Sequence, residues 1–432
     1  MRKRSLGVLC LVPIIMVFGN SMLIPAFPQM QHFLHISSFQ TNLMITFFSI
    51  PAGVTIILLG FLSDRFGRKR IMVPALALYA IGGAISGFGA LLGTHAFPIV
   101  MVGRVVQGIG AGGTAPIAMA LASDIYQNEQ RSTAQGVLEA ANGGGKVLSP
   151  ILGALAAMWA WFVPFFVYAV FAGMASALVA LLVAEPKKKT RHQKESVSAE
   201  RTFGDYFREV FRILTKNGRT LIPTFFAGMV VLFTLFGILS YLSDILESQA
   251  HLFGVIKGAV LAIPLVGMVT LSLLSGRYLQ KHAQQMSLLM RLGLLMVLAS
   301  LVVLIFVRSV TWTIGWLVLL GIGNGLTLPA VNTRVTSATE TGRGAVTALY
   351  GSVRFFGVAF GPPIYDLLLH WGRGGMFTAA AVIVGMVTAA VFLLVHAPDS
   401  SQASGQQPAA LPLPASNATH PTQDITHLGP QA

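Results

Sequence analysis

Twelve times along this chain an apolar stretch of roughly 20 residues or more recurs with few or no charges, a length that crosses a bilayer core as a helix. The stretches fall at 6–28, 40–62, 71–93, 97–123, 133–158, 161–184, 220–243, 253–276, 287–308, 312–334, 345–369 and 374–396. Backbone inside lipid must satisfy its own hydrogen bonds, so each is expected as a helix. The short alternating strands of a membrane barrel are absent from the pattern. Composition agrees: 54% of residues are hydrophobic, only 10% are charged, and the mean hydropathy is +0.72. That is too little charge to cover a soluble surface of this length. The expected class is an all-α membrane protein, with twelve transmembrane helices in two six-helix pseudo-symmetric bundles.

The formal charge of +14 raises the question of nucleic acid. Most basic residues sit in the polar loops, and no RRM, zinc or basic-helix signature is present, so no nucleic-acid partner is expected. Their placement instead orients the chain. With the N-terminus inside, about 23 Lys and Arg fall on the cytoplasmic side and about 3 outside, namely Lys257, Arg308 and Arg373. Three more lie within the bilayer. This bias predicts a multi-pass protein of the inner (plasma) membrane with both termini cytoplasmic. Met1-Arg-Lys-Arg followed by an apolar run resembles a signal peptide, but the run continues past Asn20 and further spans follow, so an uncleaved first helix is expected. The single cysteine, Cys10, excludes an intramolecular disulfide.

The segment from Glu185 to Arg219, with Lys187, Lys188, Lys189, Arg191 and Lys194, is the long polar interruption. It divides the chain into a six-helix half at 1–186, a basic cytoplasmic linker at 187–219 and a second half at 220–398. The Ser-, Gln- and Pro-rich residues 399–432 are expected as a disordered cytoplasmic tail. The two halves repeat at an offset of about 212 to 216 residues. Arg131, Gly145 and Pro150 align with Arg343, Gly357 and Pro362, while Gly108, Gly110, Thr114 and Pro116 align with Gly321, Gly323, Thr327 and Pro329. Two similar six-helix halves around a midplane site suit alternating access, and the glycines let helices pack and slide closely.

The loop after the second span reads Gly60-Phe-Leu-Ser-Asp64-Arg65-Phe-Gly67-Arg68-Lys69-Arg70. Gly60 and Gly67 suit a helix end and a turn, and Asp64 can pair with a cation or a helix N-terminus. This resembles the signature loop of the major facilitator superfamily. The resemblance implies that Asp64, Arg65 and Arg68 latch the halves in one state, with Asp124 as acidic partner of Arg68. Span 4 carries Arg104-Val-Val-Gln107-Gly108, similar to a motif of that family's drug–proton antiporter branch. Span 5 carries Gly145-Lys146-Val-Leu-Ser149-Pro150-Ile-Leu-Gly153, similar to the branch's antiporter motif, except that Ser149 stands where glycine is expected and Lys146 is an unusual charge. The second-half counterparts are Gly361 and Pro362. By this resemblance Arg104 holds the conformation of a carboxylate and helps proton exchange.

A proton-coupled transporter needs an intramembrane group that changes protonation. Glu139 is the carboxylate well inside a predicted span, which makes it the candidate proton site with Arg104 as its helper. Lys146 lies seven residues on, and Arg354 is the intramembrane cation of the second half. With Gln107, Asn20 and Asn324 they form the candidate substrate cavity. Three cations against one carboxylate suit anionic, zwitterionic or neutral amphipathic compounds at least as well as cations. The expected function is proton-coupled export of small amphipathic compounds, of the multidrug efflux type, by alternating access. The alternative is a transporter of a specific anionic metabolite or lipid-linked solute. No cofactor, metal site, phosphate-binding loop or nucleophile–base constellation is expected, so the chain reads as a transporter and not an enzyme, sufficient as a monomer in the lipid bilayer.

Overall fold

The computed structural model describes residues 2–126, 129–185, 203–338 and 343–395. The tail expected at 399–432 and the first part of the expected linker, to residue 202, lie outside the described residues. Within them every regular element is helical. The helices are α1 (Arg2–Ser21), α2 (Phe27–Leu34), α3 (Ser38–Phe66), α4 (Arg68–Gly89), α5 (Ala96–Ala111), α6 (Ala115–Ile125), α7 (Glu129–Ala157) and α8 (Val163–Leu182). The second half contributes α9 (Phe203–Ser248), α10 (Gly254–Lys281), α11 (Met286–Phe306), α12 (Val310–Ser337), α13 (Arg343–Leu369) and α14 (Gly372–Leu394).

These resolve into twelve spans. The turn Ile24–Ala26 joins α1 to α2 as one span, and α5 continues into α6 across a break at Gly112–Thr114 as another. Ten spans are long and apolar enough to cross a membrane on composition alone. The other two are α7 and α13, whose hydropathy is diluted by charges that include Glu139, Lys146 and Arg354. The largest departure from the expected ends is α9, which begins 17 residues before the predicted span at 220. Residues 203–219, expected as linker, are helix. An amphipathic sequence outside the bilayer continues the helix that lipid makes obligatory further on.

Sequence sets the helix ends locally. Ser37 caps α3 with a reciprocal pair: Gln40 N–H donates to Ser37 Oγ at 3.1 Å, and Ser37 N–H donates to Gln40 Oε1 at 2.9 Å. The α3–α4 corner is Gly67, whose φ of 113° is open to glycine and strained for other residues.

The internal repeat reappears as packing. A Cβ on Gly108 of α5 would run into the Phe48 carbonyl of α3, and one on Gly321 of α12 would run into the Pro264 carbonyl of α10. Likewise Gly153 of α7 lies against the Met22 carbonyl, and Gly361 of α13 against the Phe233 carbonyl of α9. Backbone therefore touches backbone between corresponding pairs of helices in the two bundles, at matching positions for Gly108 and Gly321, which bulkier residues would prevent. The bundles meet along two seams, α3 against α13 and α7 against α10.

Candidate translocation site

Lys146 of α7 lies within electrostatic reach of the Arg354 guanidinium of α13 and the Glu139 carboxylate of its own helix. Thus two cations, one from each half, approach one another with a single carboxylate beside them. Two like charges stay ionised in one interior only where water or an anion reaches them. Arg354 also lies over the Tyr350 ring, 5.5 Å from its centroid. Glu139 itself is exposed on the part of α7 nearer the Gly60–Arg70 loop.

Arg104 is placed quite differently. It is fully buried inside the first half, donating from Nε to the Met44 carbonyl at 2.9 Å, from Nη1 to Gln107 Oε1 at 2.7 Å and from Nη2 to Asn20 Oδ1 at 2.9 Å. Its guanidinium stacks 4.5 Å from the Phe48 ring centroid. Asn20 in turn donates to Ser49 Oγ at 2.9 Å. Neutral oxygens from α1, α3 and α5 thus satisfy this cation, and the described hydrogen bonds give it no carboxylate. The expected residues therefore separate into an Arg104–Gln107–Asn20 pin and a Lys146–Arg354–Glu139 group. Asn324, fully buried in α12, has no hydrogen-bond partner for its side chain among the described residues. Ser149, also fully buried, is in the same condition.

The loop residues converge. Arg68 pairs with Asp64, lies 3.4 Å from Asp124 Oδ2 and donates to Ser63 Oγ at 2.9 Å. Lys69 donates to the Ala180 carbonyl at 2.7 Å, and Arg65 lies over the Phe66 ring. The Glu185 carboxylate sits against Gly67 at the N-terminus of α4, where the helix dipole favours an anion. Gly60 has nothing near its Cα where a side chain would extend. Gly145 packs on Ile14 of α1, and the Pro150 carbonyl faces Gly258 of α10 across the seam.

At the opposite end of the bundle the structure shows a clamp that the sequence did not single out. Ser240 Oγ donates to Asn42 Oδ1 at 2.6 Å, Thr46 Oγ1 to the Ala359 carbonyl at 2.6 Å, and Ser243 Oγ to the Ile24 carbonyl at 2.8 Å. Lys257 donates to the Pro25 carbonyl at 3.0 Å and pairs with Glu247 at 2.7 Å. Each bond to Asn42, Ala359, Ile24 and Pro25 joins one half to the other. Lys257 had the look of a loop charge, yet it is 2% exposed. A carboxylate ten residues earlier, Glu247, was the signal the sequence offered. Serine and threonine are too common in membrane helices to mark a clamp by themselves.

The sequence pattern described as Major Facilitator Superfamily matches residues 9–362. The chain belongs to the major facilitator superfamily. It is 38% identical over 373 residues to the "Bacillibactin exporter" of Bacillus subtilis (strain 168), covering 86% of this chain and 91% of that protein. It is 24% identical over 397 residues to "Multidrug resistance protein 2" of the same organism, covering 89% and 94%. A bacterial homologue of the human lysosomal transporter Spinster, solved in an inward-facing and unoccupied conformation, superposes with a TM-score of 0.71 at 17% identity, covering 91% of this chain and 96% of that one. The human organic anion transporter MFSD10 (TETRAN) superposes with a TM-score of 0.65 at 17% identity, covering 90% and 99%. This major facilitator protein is thus a multi-pass membrane transporter of a small molecule and not an enzyme.

Proposed function

We propose that the chain is a proton-coupled exporter of an anionic, amphipathic small molecule, working by alternating access between its two halves. The observation that carries this reading is that Lys146 and Arg354, from opposite halves, lie within electrostatic reach of one another with the Glu139 carboxylate beside Lys146, one negative charge short of balance. An anion bound there neutralises both cations at once and draws the halves together, so substrate binding and closure are coupled. Glu139 supplies the group whose protonation changes as access alternates, since it is exposed in this state and within reach of Lys146. The bias of Lys and Arg to one side supports cytoplasmic termini. The clamp at the opposite end then holds the outer side shut in this state. The "Bacillibactin exporter" relative supports export, and its substrate is the first probe to try.

Everted membrane vesicles with an inside-acid gradient test this directly. Bacillibactin, an anionic dye and a neutral drug are offered in turn to wild type, Lys146→Gln and Arg354→Gln. The expected result is substrate-dependent proton release for the anionic compounds, reduced about tenfold or more in each variant, the change that a lost contact of about 1.4 kcal/mol produces. Equal handling of the neutral drug and the anions by wild type and both variants overturns the anionic reading in favour of a broad multidrug range.

A further inference from the structure

The helix α9 runs unbroken for 46 residues, which at 1.5 Å per residue is about 69 Å, more than twice the roughly 30 Å of a bilayer hydrocarbon core. Its first turns therefore stand outside the hydrocarbon, at the end of the bundle that carries the Gly60–Arg70 loop. There Arg212, Lys216 and Arg219 are all exposed, and none of the described side chains pairs with them. Arg212, Arg219 and Phe226 recur at seven-residue intervals and so share one face of the helix, with Lys216 beside them. The row of cations thus leads into the bilayer at Phe226.

Phe226 forms part of an entirely apolar groove of about 390 Å³ between α9 and α13, lined also by Leu214, Ile222, Leu349, Val353 and Phe360. The other faces of α13 are occupied. Gly351, Ser352 and Phe355 face Ile56 and Gly53 of α3, while Gly357 and Gly361 sit on the Met229 and Phe233 carbonyls of α9. Arg354 lies over the Tyr350 ring, within electrostatic reach of Lys146. Leu349, Val353 and Phe360 form the remaining face, which lines the groove. Phe226 and Phe360 keep 49% and 39% of their surface exposed there.

We propose that this groove and the adjoining cations form a binding site for an anionic phospholipid. One acyl chain lies in the groove between α9 and α13, and the phosphate lies against Arg219 and Lys216, with Arg212 further out. The lining offers no polar atom to a water-soluble ligand, and the cations offer nothing to a neutral lipid. The combination of an apolar slot and a row of exposed positive charge beside it matches one amphipathic, negatively charged ligand. This site does not depend on what the interior transports.

The test uses the full chain in nanodiscs containing phosphatidylcholine and a minority of phosphatidylglycerol, with the protein-bound lipid counted by native mass spectrometry. Wild type is expected to retain phosphatidylglycerol about tenfold above its share of the disc. Arg212→Gln, Lys216→Gln and Arg219→Gln combined should abolish that enrichment, and Val353→Trp, which fills the groove, should remove the retained lipid altogether. Spin-labelled phosphatidylglycerol and phosphatidylcholine provide a measurement on the unaltered chain, with a larger immobilised fraction expected for the first. Equal immobilisation of the two lipids overturns the proposal. So does undiminished phosphatidylglycerol enrichment in the triple variant or in a folded Val353→Trp.

Discussion

Asn42 and Ser240 lie 198 residues apart in sequence, yet Ser240 Oγ donates to Asn42 Oδ1 at 2.6 Å, joining α3 of the first half to α9 of the second. Asp244, one turn further along α9, and Asp366 of α13 line the same small pocket, as does Tyr365. Contacts of this kind must break whenever the two halves part at this end, so the pair reports directly on the state of the transporter.

The first prediction follows from that pair. In a Cys10→Ser background, Asn42→Cys with Ser240→Cys should form a disulfide under mild oxidation, and transport should stop until the bond is reduced. Full transport by the cross-linked protein would show that this end never opens.

Arg104 is expected to act as a structural pin. Its three charge-assisted hydrogen bonds and its stacking on Phe48 tie α1, α3 and α5 together. Arg104→Gln should lower stability by about 3 kcal/mol or more, seen as a lower unfolding midpoint in detergent. Lys in its place keeps the charge but not the planar fork, and should recover little. In the transport that remains, the ratio of protons to substrate should be unchanged. A lost ratio with an unchanged midpoint would give Arg104 a part in coupling instead.

Glu139→Gln is expected to leave the folded protein intact, since the carboxylate is exposed and makes no hydrogen bond in the described structure. It should abolish proton release while leaving passive exchange of substrate measurable in the same vesicles. Wild-type proton release in this variant removes Glu139 from coupling and directs attention to Asp244 and Asp366.

At Gly67 the φ of 113° and the Glu185 carboxylate both oppose a side chain. Gly67→Ala should therefore cost about 1 to 3 kcal/mol in backbone strain and displace Glu185 from the α4 N-terminus. All substrates should slow alike, because the loop does not touch the interior. A defect confined to one substrate would contradict a role in moving the halves.

Much of this protein can be read along the chain because lipid imposes one-dimensional rules. Apolar length marked the spans, ten of them on composition alone, and the in-register glycines and prolines anticipated the matched contacts of Gly108 on Phe48 and Gly321 on Pro264. Lys146 and Arg354 stood out because charge is rare in such stretches. The α9 boundary was harder, because amphipathic helix outside the bilayer has no hydrophobic threshold to mark its start.

Sequence by itself thus determined the class, the number of spans, the division into two halves and the family, since each depends on local composition or on a motif contained in one segment. Tertiary structure alone decided which polar groups meet. It sent Arg104 to the carbonyl and amide oxygens of Met44, Asn20 and Gln107, set Lys146 opposite Arg354, and buried Lys257 against Glu247 and the Pro25 carbonyl. The physical reason is that a buried cation takes whatever acceptor the packed neighbours present within about 3 Å. Those neighbours come from helices whose rotation and tilt are settled by glycine-to-backbone packing across the whole bundle.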